Sequence, residues 1–531
     1  MRAINMKNTI SMTRLLPTVM VAVALFLTAT QAHAAAPGIT GPAFSLTAEP
    51  AYLNQPDGAM VYSWGYGCNG TPSGFAPVAI ANGVCGTMQV PGPTLIVTEG
   101  QTVTVTLTNN LPAAAGNTSI LFPGFNVTAT GGVTGLLTQE AQPGGASVVT
   151  YTFTASSPGT RAYYSGTQSD LQVEMGLYGA VIVLPSAVPA SCSSGLAASN
   201  VAAQANWGET DFRLAHAAYD HAKSCYDREY LFQFSEMDPN IHTQALAQVT
   251  ASGSCVAGAP GCSLQVPTEP YHPAYFMING RSMPDDMDPN YAVEYPHQPY
   301  NGNPHMHPGE QVLLRIVGQG RWQHPFHEHG NHVRILGRDG NLILSQGDAS
   351  NLAGPLLFTT TTTPGLAMDG IFYWTGKGLN WDAYAHDTTS TDPLAKLPCT
   401  PDANGYNTGA PTAINYFEWC QDHNKPVQAA PFGDVASGGP VTLPDPNILT
   451  NGPWYGGSPY LGANATTRAV GSTGTTPPSG TIANSPGGEA GFAFMWHSHN
   501  EREITTSNIF PGGMLMMMLV DSREFVIDES N

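Results

Sequence analysis

The sequence predicts an all-β protein, and three observations carry that prediction. Only 11% of the 531 residues are charged, while 58 are glycine and 44 proline, so turn formers are abundant and long solvated faces are few. Several short segments alternate apolar and polar residues with period two, the pattern of a strand with one buried face. No long segment repeats apolar residues every three to four positions, as an amphipathic helix must. The length exceeds what one hydrophobic core accommodates, so the strands should assemble into two or three Greek-key β-sandwich domains.

The chain opens with residues 1–34, which carry Arg2, Lys7 and Arg14, no acid, an apolar run from Leu15 to Leu27, and then Ala32-His33-Ala34. That is the pattern of a secretory signal peptide with a small-residue cleavage site, too short to span a bilayer. A first domain is expected over residues 37–185. Within it, Thr102-Val-Thr-Val-Thr-Leu-Thr108 alternates as a half-buried strand should, and Val148 to Phe153 and Gly176 to Leu184 supply further strands. Residues 186–227 are rich in alanine and serine and read as a connection. Glu229 to Phe234 begins a second strand-rich region over 228–522, continued by Tyr275 to Gly280, Gln311 to Val317, Met495 to His499 and Met514 to Val520. Residues 376–486 are polar and turn-rich and read as an insertion of loops.

Without the first 34 residues, 15 basic residues face 38 acidic ones, a formal charge of −23. Such a balance argues against nucleic acid or anionic lipid as partners; it keeps an exported protein in solution and attracts cations. With no second hydrophobic stretch, no membrane insertion is expected, and the location is periplasmic or secreted. Eight cysteines in an exported chain imply disulfides, and the order Cys68/Cys85, Cys192/Cys225, Cys255/Cys262 and Cys399/Cys420 offers four local loops. None lies beside a histidine in metal-ligand spacing.

Chemistry concentrates in His324-Pro-Phe-His327-Glu-His329-Gly and, far downstream, His497-Ser498-His499. Residues two apart on a strand project to one face, so each His-x-His pair presents two imidazoles together, which suits copper, zinc, nickel or iron.

With Pro91-Gly-Pro-Thr-Leu, Thr118-Ser-Ile, Gly159-Thr160 and Gly176-Leu-Tyr-Gly-Ala, these residues resemble the multicopper oxidase family, built from cupredoxin β-sandwiches. Members bind copper through four histidine motifs, two in the first domain and two in the last. The resemblance implies His324 as a ligand of the mononuclear type 1 copper, and His327, His329, His497 and His499 as ligands of the trinuclear cluster. This chain departs from the pattern elsewhere. Leu121 and Pro123 stand where the first motif has histidines, Tyr164 and Gly166 where the second does, Ser498 where the type 1 cysteine belongs, and Glu503 where its second histidine belongs.

Serine is a hard, high-pKa donor that cannot replace the thiolate of an electron-transfer copper, and four of eight cluster histidines are too few for three coppers. They suffice for one. The expectation is therefore a degenerate member holding one copper, with zinc or no metal as alternatives. It would be an exported oxidoreductase acting on a small molecule or metal ion, or a non-enzymatic envelope scaffold. A partner chain or oligomer completing the half-site is a third possibility.

Weaker signals attach to other residues. His305-Met306-His307, near Met283 and Met287, pairs imidazole with thioether as Cu(I) favours, but a loop with fortuitous histidines is the better reading, since single His-x-His pairs are common. His332 reads as a partner orienting a ligand or as a plain buried histidine. Met514, Met516, Met517 and Met518 sit on an apolar closing strand and are expected to fill core.

Overall fold

A computed structural model describes residues 36–77, 84–377, 400–413, 416–419, 457–460, 491–521, 523 and 526–527. The expected signal peptide, most of the expected insertion, and the Cys399/Cys420 pair lie outside these residues. Strands dominate, as the composition predicts.

The N-terminal half is a sandwich of two five-stranded sheets. One runs in the order β11 (Gly159–Tyr164), β12 (Tyr178–Leu184), β5 (Leu95–Thr98), β1 (Gly38–Thr40) and β4 (Phe75–Ala76). The other runs β3 (Met60–Cys68), β2 (Ala43–Asn54), β6 (Thr102–Asn109), β10 (Val148–Thr154) and β7 (Thr128–Gly131). In β6 the alternation works as written: Val103, Val105 and Leu107 are buried, and the threonines between them face outward. A hairpin of β8 (Val133–Thr134) and β9 (Gln139–Glu140) stands apart.

The C-terminal half is a second, larger sandwich. Its first sheet runs β14 (Tyr275–Ile278), β13 (Arg228–Met237), β16 (Gln311–Gly318), β22 (Ala367–Tyr373), β18 (Val333–Arg338) and β19 (Asn341–Leu342), with β20 (Leu356–Leu357) paired to β18. The second runs β15 (His305–Met306), β25 (Leu515–Asp521), β24 (Gly491–Ser498), β17 (His324–Glu328) and β21 (Thr359–Thr362), with β23 (Gly457–Tyr460) paired to β24. Between them Phe232, Phe234, Phe326 and Trp496 pack edge to face or tilted, and Met514, Met516 and Met518 are fully buried around them. These three methionines fill core as expected, each worth about 2 kcal/mol of burial, while Met517, on the opposite face of the strand, is only partly buried.

Among the described residues three α-helices interrupt the strands: α1 (Ser169–Gln172), α2 (Gly195–Asn206) within the expected connection, and α3 (Pro239–Ser252). Asp238 accepts the backbone N–H of Asn240 and Pro239 opens the first turn, so Asp-Pro starts α3. Among the described residues no helix is long and apolar enough to cross a membrane. Three disulfides form, Cys68–Cys85, Cys192–Cys225 and Cys255–Cys262.

The halves meet where β11 lies against β16, β18 and β22. Thr160 donates its N–H and its hydroxyl to the Asp369 carboxylate at 3.0 and 2.6 Å, and the Arg315 guanidinium reaches Thr160 Oγ1 at 3.2 Å.

Candidate metal centre

β17 and β24 are antiparallel neighbours, with His327 directly opposite His497, Phe326 opposite Ser498 and Glu328 opposite Trp496. Alternation then sorts the residues onto two faces. His324, Phe326, Glu328, Trp496 and Ser498 turn into the sandwich and are fully buried. His327, His329, His497 and His499 turn the other way.

The four imidazoles form one group. Ring centroids lie 4.7 Å apart for His327 and His329, 4.8 Å for His327 and His499, and 5.1 Å for His329 and His497. Both pairs across the remaining edges, His327 with His497 and His497 with His499, stand at 5.6 Å. His497 Nδ1 donates to the Ser498 carbonyl at 2.7 Å, which fixes the tautomer with a lone pair on Nε2. His329 Nε2 stands 3.1 Å from that nitrogen, so its N–H points at it. His327 Nδ1 is hydrogen-bonded to Thr359 Oγ1 at 2.6 Å, a partner supplied by the edge strand β21. Burial and then the neighbouring His497 and His499 push the His327 imidazolium down to about 4, and burial also lowers His497. Both rings are neutral near pH 7, as metal ligands must be.

Two of these donors, on His329 and His497, stand at a spacing that suits one copper or zinc. Two bonds of about 2.0–2.1 Å at a near-tetrahedral angle set their nitrogens roughly 3.3 Å apart, close to the separation of the His329 and His497 nitrogens.

His324 is different. Its Nδ1 donates to Glu503 Oε2 and its Nε2 to Glu236 Oε2, both at 2.9 Å, and the ring is wholly buried. Burial disfavours the charged ring, but the hydrogen bonds it donates to the two carboxylates outweigh this and hold the imidazolium up at about 9. Ser498 donates its hydroxyl to Glu503 Oε2, and Asn500 Nδ2 donates to Glu503 Oε1 at 2.8 Å. A type 1 copper does not fit here: the thiolate is absent and the one imidazole is protonated on both nitrogens. The metal role expected for His324 therefore meets a ring that a cation could enter only by displacing a proton and breaking an ion pair.

Sequence reasoning missed Glu236, Thr359 and Glu328. Glu236 sits on β13, 88 positions from His324, and no local pattern announces it. Glu328, between two candidate ligands, is buried on the inner face; desolvation raises its carboxyl to about 8, against the opposing hydrogen bond from Thr360.

The other candidates fall into structural roles. His305 Nδ1 bonds Asp521 Oδ2 at 2.7 Å, and His307 bonds the Asp521 carbonyl and Glu209 Oε1, so the pair ties β15 to β25. One nitrogen of His307 and one oxygen each of Glu209 and Glu310 lie within 4.8 Å of one another, a spacing a cation could bridge. Arg228 already fills that role, paired with both carboxylates. The His332 ring lies edge-on to Phe358 at 5.1 Å. In the N-terminal half, Leu121 and Tyr164 bridge backbone to backbone, and the Leu121 side chain lies over Gly166, where an added Cβ would meet it at 2.7 Å.

Compared with known proteins, residues 77–188 match the family model "Multicopper oxidase". No curated protein matches the chain. Among solved structures, the multicopper oxidase mgLAC aligns over 90% of this chain and 85% of its own at 16% identity and a TM-score of 0.43. The blue copper oxidase from Nitrosomonas europaea aligns over the same shares at 15% identity and a TM-score of 0.43. The copper nitrite reductase from Nitrosomonas europaea aligns over 63% of this chain and 85% of its own at 19% identity and a TM-score of 0.37. The described residues thus form an all-β fold of paired sandwiches, and the stretch 77–188 within it matches a multicopper oxidase domain.

Proposed function

We propose that this is an exported copper-binding protein that holds one copper through His327, His329, His497 and His499. The observation that carries the reading is the convergence of four imidazoles from two paired strands, with His329 and His497 nitrogens 3.1 Å apart. When bound, copper supplies one-electron redox chemistry. The chain's own residues do the rest: Ser498 and Thr359 orient two of the rings, and the low proton affinity of His327 and His497 keeps them available as donors. His499, with its side chain half exposed, stands on the solvent side of the group, where a small molecule reaches the centre. Chemistry would run directly at this centre, as an oxidoreductase without a type 1 copper. Export is supported by the leader sequence and by three disulfides, which persist in oxidising compartments.

A second reading, a metal-free envelope scaffold, draws on one observation: the His329 to His497 hydrogen bond already satisfies both nitrogens without a metal. Metal analysis of purified protein with a visible spectrum separates the two. One copper per chain and no intense blue band is the expected result. Three or four coppers with a blue band would overturn the proposal, and no copper after reconstitution would leave the scaffold.

A further inference from the structure

On the inner face of the same two strands, Ser498, Glu503, His324 and Glu236 form a continuous hydrogen-bonded unit. Ser498 is the residue between His497 and His499, so its side chain points away from them into the sandwich. Its hydroxyl is held by Glu503, Glu503 by His324, and His324 by Glu236. Glu236 is itself anchored: its Oε1 accepts the backbone N–H groups of Arg321 and Trp322 at 2.6 and 2.9 Å and lies 3.2 Å from the Tyr271 hydroxyl. The unit therefore joins three elements, β13, β17 and the segment from β24 to Glu503.

We infer that this inner-face unit is the positioning device of the outer-face imidazoles: Glu503 and His324 fix where Ser498 sits, and hence the spacing of His497 and His499 from His327 and His329. This rests on the copper reading above. Three features support it. The unit grips the backbone midway between the two β24 imidazoles. It also grips β17 at His324, one turn of the alternation before His327. And it is buried, so that releasing one partner leaves an uncompensated charge that the strands must move to hydrate. Two further ties join the strands, from Trp496 Nε1 to the His329 carbonyl at 2.9 Å and from the His499 N–H to the Pro325 carbonyl at 2.8 Å; they fix the backbone offset, and the inner-face unit adds the side-chain grip at Ser498. None of the four residues touches the metal; each acts through the strand it holds.

Copper(II) titration in competition with a chelator, on the full-length processed protein, tests this. Glu503→Ala should weaken copper about 10- to 100-fold and change the copper EPR hyperfine splitting. Glu503→Gln, which still accepts from His324 and Ser498, should keep most of the affinity. Ser498→Ala, which removes one hydroxyl and perturbs folding least, should fall between them. Glu229→Gln is the control, because it breaks the Arg315 ion pair in the other sheet, at 2.8 Å. It should lower the melting temperature and leave copper affinity unchanged. Equal affinity in wild type, Glu503→Ala and Ser498→Ala would overturn the inference, as would an equal loss in Glu229→Gln. If wild type binds no copper, the copper reading fails, and the imidazole proton and nitrogen NMR signals of His329 and His497 then decide. Loss of their mutual hydrogen bond in Glu503→Ala upholds positioning; unchanged signals refute it.

Discussion

His324 and His327 stand three residues apart on one strand, and the surroundings give the two rings opposite charge. His324 turns inward between two carboxylates and is held as an imidazolium up to about pH 9. His327 turns outward among other imidazoles and stays neutral down to about pH 4. The first ring is therefore a structural cation and the second a neutral base. What separates them is strand parity and the sign of the neighbouring charge, so residue type alone does not assign a role.

The contrast can be broken most completely on the outer face. Replacing His497 and His499 together with alanine should remove all bound copper, read by elemental analysis. Retained copper would place the metal elsewhere. On the inner face the same chemistry should show as stability instead. His324→Ala should cost about 3 to 5 kcal/mol in urea unfolding, because Glu236 and Glu503 lose their shared cation, with only a positional effect on copper.

Titration sharpens the same contrast without mutation. The folded pKa of His324 lies above its ordinary value of 6.5, so its contribution is fully present below about pH 6.5 and is lost as pH rises through about 9. The shift corresponds to about 3 kcal/mol, to be read as lower unfolding free energy at pH 10 than at pH 6. His327 has the opposite sign: protons should displace copper from it only as pH approaches 4. The smallest expected effect is that of Ser498→Cys. With Glu503 in place of an imidazole and His324 already paired, copper reconstitution should give no intense blue absorption, and stability should shift by less than about 1 kcal/mol.

Much of this was legible in the sequence, because period-two patterning is a local signal. The strands around Thr102, Val148, Gln311 and Met514 follow it, and the same parity places His324 on the face opposite His327. The replacement of cysteine by Ser498 and histidine by Glu503 announced that one copper position was lost. What took its place was not legible. Glu236 is distant in sequence and meets His324 only because β13 crosses the sandwich, and Thr359 meets His327 only through the edge pairing of β21. Helix α2 was obscured because alanine- and serine-rich segments suit loops and helices alike. The spacing of His305 and His307 allowed a ligand pair but favoured fortuitous histidines, and their actual partners, Asp521 and Glu209, lie far away in the chain.

The direct opposition of His327 and His497 has a consequence for how such a centre can evolve. Every outward imidazole has an inward neighbour one residue away, so a single insertion in β24 would exchange Trp496 and Ser498 for His497 and His499 throughout the strand. Core and centre would be lost in the same step. Change at this group is thereby confined to point substitutions in place.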